Sequence, residues 1–297
     1  MSKKMLFVFN PHSGKAQIKN RLLDIIDIFV KDGWTVDVHP TQSKGDAFDV
    51  VGRRGARFDT VVVSGGDGTL NECIHGLMQI AEEKRPRLGY IPAGTTNDFA
   101  SNLKIPKDMI KAAKNITVGN VFKCDIGRFN DKNFSYVAAF GAFTDVAYDT
   151  PQQNKNALGQ LAYFLEGIKR LHTLKSEHIT VEYDGTKTEG EFIFGMAANT
   201  NYLAGFKTDK AIRAELNDGL FEVVLIKRPQ NAIEFQDILA HLLTQDLTTD
   251  AFCVFRAEKV RFSSEEGVKW TLDGEYGGDF KCAEVSVERE AISFVLN

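Results

Sequence analysis

The densest chemistry in this 297-residue chain lies in Thr60-Val61-Val62-Val63-Ser64-Gly65-Gly66-Asp67-Gly68-Thr69-Leu70-Asn71-Glu72. A β-branched run gives way to glycines and then to a helical pattern, which reads as strand, tight loop and helix. Gly65, Gly66 and Gly68 lack the Cβ atoms that would hold a ligand away from the backbone. Free N–H groups and the helix dipole at the helix start favour an anion such as phosphate. Asp67 adds a carboxylate at which a Mg²⁺ ion could bridge to that phosphate. The Lys-Ser/Thr ending of a P-loop is missing, and Gly66 to Asn71 breaks the dinucleotide-binding pattern at its last glycine. A plain glycine turn into a helix is the competing reading.

Two other loops have the same build. Met5 to Phe9 reads as a buried strand running into Asn10-Pro11-His12-Ser13-Gly14-Lys15. Ile18, Leu22, Ile25, Ile26 and Phe29 then repeat at helical spacing, and Gly33 marks the stop. Leu88 to Ile91 reads as a strand leading into Pro92-Ala93-Gly94-Thr95-Thr96-Asn97-Asp98-Phe99-Ala100. Thr95 and Thr96 offer hydroxyls and N–H groups, while Asp98 sits at a helix start and suits an N-cap as well as a ligand. His12 reads as a solvated loop residue.

These loops need a scaffold. Trp34, Val36 and Val38 alternate through a strand ending at Pro40-Thr41, and Arg53, Arg54 and Arg57 read as the solvated basic face of a helix. Leu70, Ile74, Leu77 and Met78 form another helix face. Strands alternating with helices to about Asn120 predict a mainly parallel, doubly wound α/β sheet, in which ligands bind at the carboxyl ends of the strands. All three loops lie at such ends.

Near Val121 the pattern changes. Cys124 to Phe129, Phe134 to Phe140, Ile179 to Tyr183, Phe192 to Ala198, Leu220 to Ile226, Cys253 to Phe255 and Val260 to Phe262 read as strands. Asn130-Asp131-Lys132-Asn133 and Asp184-Gly185 read as turns, so the second domain is mainly antiparallel β. Helices are expected at about 158–171 and 231–243. Trp270-Thr271-Leu272-Asp273-Gly274-Glu275-Tyr276-Gly277-Gly278 sets two acids within a strand pattern, where unpaired acids are costly to bury. A hairpin turn with solvated acids is the alternative.

The 65–69 pentapeptide resembles the Gly-Gly-Asp-Gly-Thr signature of diacylglycerol, sphingosine and NAD kinases and phosphofructokinases. Asn10-Pro11-x-Ser13-Gly14 and Gly94-Thr95-x-Asn97-Asp98-Phe99-Ala100 resemble lipid-kinase motifs more narrowly, as do Asp125-Ile126-Gly127, the segment 213–220 and Asp273-Gly274-Glu275. Six motifs in order, from Asn10 to Gly278, identify the chain as similar to bacterial lipid kinases with a diacylglycerol kinase catalytic domain. The resemblance implies an NAD kinase-like α/β domain over 1–122, which a strand over 289–297 could complete. A β-sandwich-like domain for the lipid substrate would cover 123–288.

It further implies nucleotide contacts at Asn10, Pro11, His12, Ser13, Gly14, Thr41, Gly66, Asp67, Gly68, Thr69, Leu70, Asn71, Glu72, Thr95, Asn97 and Asp98. Asp125 would support a metal network, and Glu215, Asp218 and the Leu220 carbonyl would hold a second ion; hard oxygen ligands suit Mg²⁺. Glu275 would be the general base, facing the nucleotide loops across a cleft, with Asp273 as its supporting neighbour and Asp67 at the centre of the phosphate site. The implied reaction moves the γ-phosphoryl group of ATP, with Mg²⁺, to the primary hydroxyl of diacylglycerol and gives phosphatidic acid, a step of phospholipid biosynthesis. Alternatives are another lipid alcohol (sphingoid base, isoprenol or monoacylglycerol), an NAD kinase, and a nucleotide-responsive binding protein without catalysis.

Bulk properties narrow the class. Hydrophobic residues at 43% and charged residues at 26% describe an ordinary folded protein, and a net charge of −4 argues against a nucleic-acid partner. Cys73, Cys124, Cys253 and Cys282 lie far apart, which suits free thiols better than zinc. Met5 to Phe9 is too short for a signal peptide's apolar core, and no run of about 18 apolar residues occurs. A cytoplasmic protein that touches the inner membrane face peripherally is therefore expected. Lys15, Lys19 and Arg21 could form a docking patch with Lys169, Arg170 and Lys175. The resemblance also implies a homodimer.

Overall fold

β1 (Lys3–Phe9) pairs in parallel with β2 (Trp34–Pro40) on one side and β3 (Thr60–Gly65) on the other. β3 pairs with β4 (Arg87–Pro92), and the far end of β15 (Glu275–Leu296) joins β4 in parallel at Phe294 and Leu88. β3 is buried along its whole length, as a strand covered on both faces must be. On one face, Ile18, Ile25 and Phe29 of α1 (Ile18–Lys31) and Met109, Ala112, Ala113 and Ile116 of α5 (Met109–Val118) pack on Met5, Phe7, Phe9, Val62 and Ile91. Side-chain alternation turns the buried Leu6, Val8, Val61 and Val63 to the other face, beside α2 (Asp46–Arg54) and α3 (Asp67–Met78). These two helices approach closely: a Cβ on Gly76 would fall 2.7 Å from the Phe48 carbonyl oxygen. The result is the doubly wound α/β layer that the sequence predicts.

The computed structural model describes residues 3–95, 97–141, 176–200, 202–203, 206–207, 214–244 and 246–297. They group into two compact units, Met1–Asp125 with Arg289–Asn297, and Ile126–Glu288. β5 (Asn120–Phe129) and β15 are the strands along which the chain passes from one unit to the other.

The second unit is built from antiparallel strands. β7 (Val137–Gly141) lies between β9 (Thr186–Ala198) and β14 (Lys259–Leu272), while β8 (Glu177–Tyr183) pairs with different stretches of the same two strands. β9 also pairs with β12 (Phe221–Lys227), which pairs with β13 (Phe252–Ala257); β10 (Tyr202–Leu203) and β11 (Phe206–Lys207) form a short hairpin. Register shifts along β14 let it serve two layers. Between them Trp270 packs on Phe129, Phe140 and Phe262 at ring separations of 4.9, 4.9 and 5.0 Å. Ile238 of α6 (Ala232–Thr244) joins Ile193, Val224 and Phe252 in a second apolar layer.

Two expectations change. The stretch 134–140 is not one strand: β6 (Lys132–Phe134) ends and two residues separate it from β7, so the turn is confined to Asn130–Asp131. Arg57 lies in a 3₁₀ turn (Gly55–Arg57) beyond α2, and Arg54 is paired with Asp37, so the three arginines do not form one solvated face. The helix expected at 158–171 lies outside the described residues. No helix among the described residues is long and apolar enough to cross a membrane.

Candidate active site

Because β1, β3 and β4 run parallel, the loops that follow them leave the same edge of the sheet, and they are bonded to one another. Asn10 N–H donates to Ser64 O (2.9 Å), Ala93 N–H to Gly65 O (2.8 Å) and Gly66 N–H to Ser13 Oγ (3.3 Å). Asn10 Nδ2 lies 3.4 Å from Thr69 Oγ1, and Thr41 N–H donates to Phe9 O at the neighbouring strand end (2.9 Å). The glycines make this closeness possible. A Cβ on Gly94 would sit 2.6 Å from Gly66 Cα; one on Gly14, at φ +54°, would sit 2.3 Å from Ala93 O. Gly65 is crowded by its own loop, at 2.5 Å from Thr69 Cβ, whereas Gly68 opens on space. Of the three glycines read as making room for a ligand, Gly68 has open space and Gly66 only ordinary contact with Gly94, while Gly65 is packed within its own loop.

α3 starts at Asp67 behind an extended Gly66 and has no side-chain cap. Its first N–H groups therefore keep the anion-binding character of an open helix end. Asp67 itself turns toward the third loop and accepts from Asp98 N–H and Phe99 N–H, both at 3.2 Å. Burial pushes its pKa up, and these same N–H groups pull the other way. Asp67 thus caps α4 (Asp98–Asn102) from another element. Asn97 occupies the cap position at φ +56° and Asp98 is the first helical residue, so the reading of Asp98 as the cap is corrected.

The remaining residues of this set are less uniform. Glu72 Oε1 accepts Gly45 N–H at 2.8 Å, tying α3 to the segment after Thr41. Asn10 Oδ1 accepts His12 N–H at 2.9 Å, and the His12 side chain is exposed, as is Thr95. Pro11 and Asn71 are half-buried, but the Leu70 side chain is in the core, so only its backbone faces a ligand. Tyr90, which the motif pattern does not mark, places its hydroxyl 3.2 Å from Gly65 O and 3.3 Å from Asn97 Oδ1. Thr96 lies outside the described residues.

Asp125 is buried, and Oδ1 accepts Glu290 N–H at 2.7 Å where Glu290 adopts φ +50°. This carboxylate holds the returning C-terminal segment in the first unit.

In the second unit, Asp-Gly-Glu is a tight turn rather than strand interior. Asp273 and Gly274 have φ of +50° and +81°, and Leu272 pairs with Glu275 across them. Asp273 Oδ2 accepts Ser135 N–H (2.6 Å), and Oδ1 accepts Tyr136 N–H (2.9 Å) and Val137 N–H (3.0 Å). That clamp holds Ser135 and Tyr136 outside the ladder and divides the expected 134–140 strand. Glu275 is exposed, and Lys132 Nζ holds Gly277 O nearby at 2.6 Å.

The expected second-ion set departs from its implied arrangement. Asp218 Oδ1 accepts Leu220 N–H at 3.0 Å, and Oδ2 is paired with Arg256, whose Nε also donates to Glu222 Oε1 at 3.0 Å. Glu215 is exposed. A guanidinium already neutralises Asp218, so these residues do not fit a second divalent ion. Burial pushes the Glu222 carboxyl up to about 7 despite that arginine. Among the described residues no three His, Cys, Asp or Glu side chains converge to hold a metal. Lys15 and Lys19 are exposed and Arg21 pairs with Asp24 at 3.6 Å; Lys169, Arg170, Lys175 and Arg213 lie outside the described residues.

Comparison with known proteins gives a single answer. Residues 4–129 match the diacylglycerol kinase catalytic domain, and residues 138–295 match the YegS C-terminal NAD kinase beta sandwich-like domain. A diacylglycerol kinase of Bacillus subtilis (strain 168) is 36% identical over 279 residues, spanning 93% of this chain and 91% of that one. One of Staphylococcus aureus (strain bovine RF122 / ET3-1) is 33% identical over 300 residues, spanning 100% and 94%. A crystal structure of a proposed diacylglycerol kinase from Bacillus anthracis str. Sterne superposes with a TM-score of 0.84 at 25% identity, covering 99% of this chain and 95% of that one. A diacylglycerol kinase from the same strain superposes at 0.78 and 22%, covering 99% and 97%, which shows the fold. With glycine loops bonded at one sheet edge and relatives matching nearly end to end, this chain belongs to the diacylglycerol kinase catalytic-domain family of lipid kinases.

Proposed function

We propose that the chain transfers the γ-phosphoryl group of ATP, with Mg²⁺, to the primary hydroxyl of diacylglycerol, giving phosphatidic acid and ADP. The carrying observation is the bonded cluster of three loops around the uncapped start of α3. It is a backbone cradle of the kind that holds phosphates. The acceptor is supported by the names of the relatives.

In this reading the first unit binds the nucleotide and the second the lipid. Backbone N–H groups of Gly14, Gly68 and Thr69 would face the phosphates, with the Asn10 and Asn97 side chains fixing the loops around them, exposed Thr95 at the rim and Thr41 beside the nucleoside. The lipid hydroxyl oxygen attacks the γ-phosphorus as the bond to the bridging oxygen of ADP breaks. Glu275, exposed on a tight turn, takes the hydroxyl proton; Asp273 orients that turn. Mg²⁺ would supply charge neutralisation to the triphosphate. Asp67 and Asp98 are the acids of the loop cluster that would hold that ion. Positioning and charge neutralisation carry most of such a transfer. Lys15 and Lys19 offer cations to an anionic lipid surface.

Purified protein given labelled ATP, Mg²⁺ and diacylglycerol micelles should produce labelled phosphatidic acid, and Asp67→Ala and Glu275→Ala should not. Label appearing in another lipid alcohol of a screened panel would reassign the acceptor. Label in NAD alone would overturn the lipid reading.

A further inference from the structure

Tyr90 is the one polar side chain in the buried run from Leu88 to Ile91, and it is 1% exposed. A phenol in that place is costly unless its hydroxyl finds partners. Its one proton is shared between two acceptors, Gly65 O at 3.2 Å and Asn97 Oδ1 at 3.3 Å. Gly65 ends β3 directly before Gly66 and Asp67. Asn97 holds the third loop closed by accepting Gly94 N–H (2.9 Å) and donating to Gly94 O (2.8 Å). Both of Tyr90's acceptors have another donor: Gly65 O takes Ala93 N–H, and Asn97 Oδ1 takes Gly94 N–H. The hydroxyl is therefore not required to satisfy them. What it adds is a side-chain bond from inside the sheet to two turns already joined by Ala93 N–H to Gly65 O and by Asp67 to the Asp98 and Phe99 N–H groups.

We infer that Tyr90 is a positioning residue whose hydroxyl locks the Gly65–Asp67 turn to the Gly94–Asn97 turn and so sets the spacing of the phosphate cradle. This rests on the phosphoryl-transfer reading above. Its ligand class is the triphosphate of the nucleotide, not the lipid.

Tyr90→Phe keeps the ring and removes the bond. One net hydrogen bond corresponds to roughly a fivefold change in affinity. KM for ATP, and the Kd of a fluorescent ATP analogue measured without lipid, should both rise by about that factor. KM for the lipid should stay at the wild-type value, with assays run where both proteins are fully folded. Wild-type KM and Kd for the nucleotide overturn the inference, as does a lowered Tm with unchanged nucleotide affinity, which marks a purely structural role. A parallel rise in both substrates' KM also overturns it. Failure of the wild-type protein to phosphorylate any lipid would instead sink the functional reading, and the nucleotide Kd still tests Tyr90 in that case.

Discussion

Asp67 and Asp273 sit in different units and use one device: a carboxylate at a turn accepts backbone N–H groups from an element far away in sequence. They use it to different depths. Asp273 takes three amides at 2.6–3.0 Å, while Asp67 takes two at 3.2 Å. Short bonds to a charged acceptor are the strong ones, so Asp273 is committed to holding the 135–137 segment. The pair at Asp67 is longer, and it lies at the uncapped start of α3. An acid inside a motif can thus be an anchor; in the mechanism we propose, the reacting group is its exposed neighbour Glu275.

The sharpest way to break this contrast is to separate the two acids of the Asp273–Glu275 turn. Glu275→Gln should lower kcat by roughly 10²–10⁴-fold, the usual contribution of a general base, while Tm stays put. Asp273→Ala should do the reverse in kind. Loss of three charge-assisted bonds should cost about 2–4 kcal/mol of unfolding free energy in urea, with kcat of the folded fraction falling less than in Glu275→Gln. A Glu275→Gln enzyme with wild-type kcat would show that the turn has no reacting acid.

In the first unit the test falls on glycine rather than on charge. Gly94→Ala places a methyl 2.6 Å from Gly66 Cα, backbone against backbone, so the loops must part. Steady-state assays should show KM for ATP raised by roughly tenfold or more, in line with the 1–3 kcal/mol typical of overpacking. Gly68→Ala, with open space around it, should fold normally. A wild-type KM for ATP in Gly94→Ala would mean that the Gly66–Gly94 contact does not set the cradle.

What could be read beforehand was local. Val61 to Val63 followed by Gly65, Gly66 and Gly68 announces strand, turn and helix because each signal lies within a few residues. The doubly wound layer and the antiparallel unit follow from repeating that logic. The Asp67 cap on α4 and the Tyr90 bridge could not be read, because both join residues that only the sheet brings together. Ser135 and Tyr136 look like strand in isolation, and Asp273, 137 residues beyond Tyr136, bends them away. The Arg256 pairing with Asp218 was hidden for the same reason, and it turns an expected ion site into a salt bridge.

The smallest effect is expected where a carboxylate cluster is neither anchor nor reactant. His178 on β8 lies between Glu189 (Nε2 to Oε1, 2.9 Å) and Glu191 (Nδ1 to Oε1, 3.1 Å) of β9; Ser176 and Arg228 complete the group. Both ring nitrogens donate only when the imidazole is charged. The Glu189 and Glu191 hydrogen bonds therefore raise its pKa above the ordinary 6.5. A raised histidine pKa contributes stability that is fully present below about 6.5 and is lost as pH rises through the folded-state value. Tm of the wild type, relative to His178→Gln, should accordingly be higher at pH 5.5 and equal at pH 9. The difference should be slight, because exposed pairs are screened by water and salt. A large or salt-insensitive difference would mean that surface acids in this unit hold the fold as Asp273 does, and the distinction between anchoring and solvated carboxylates would fail.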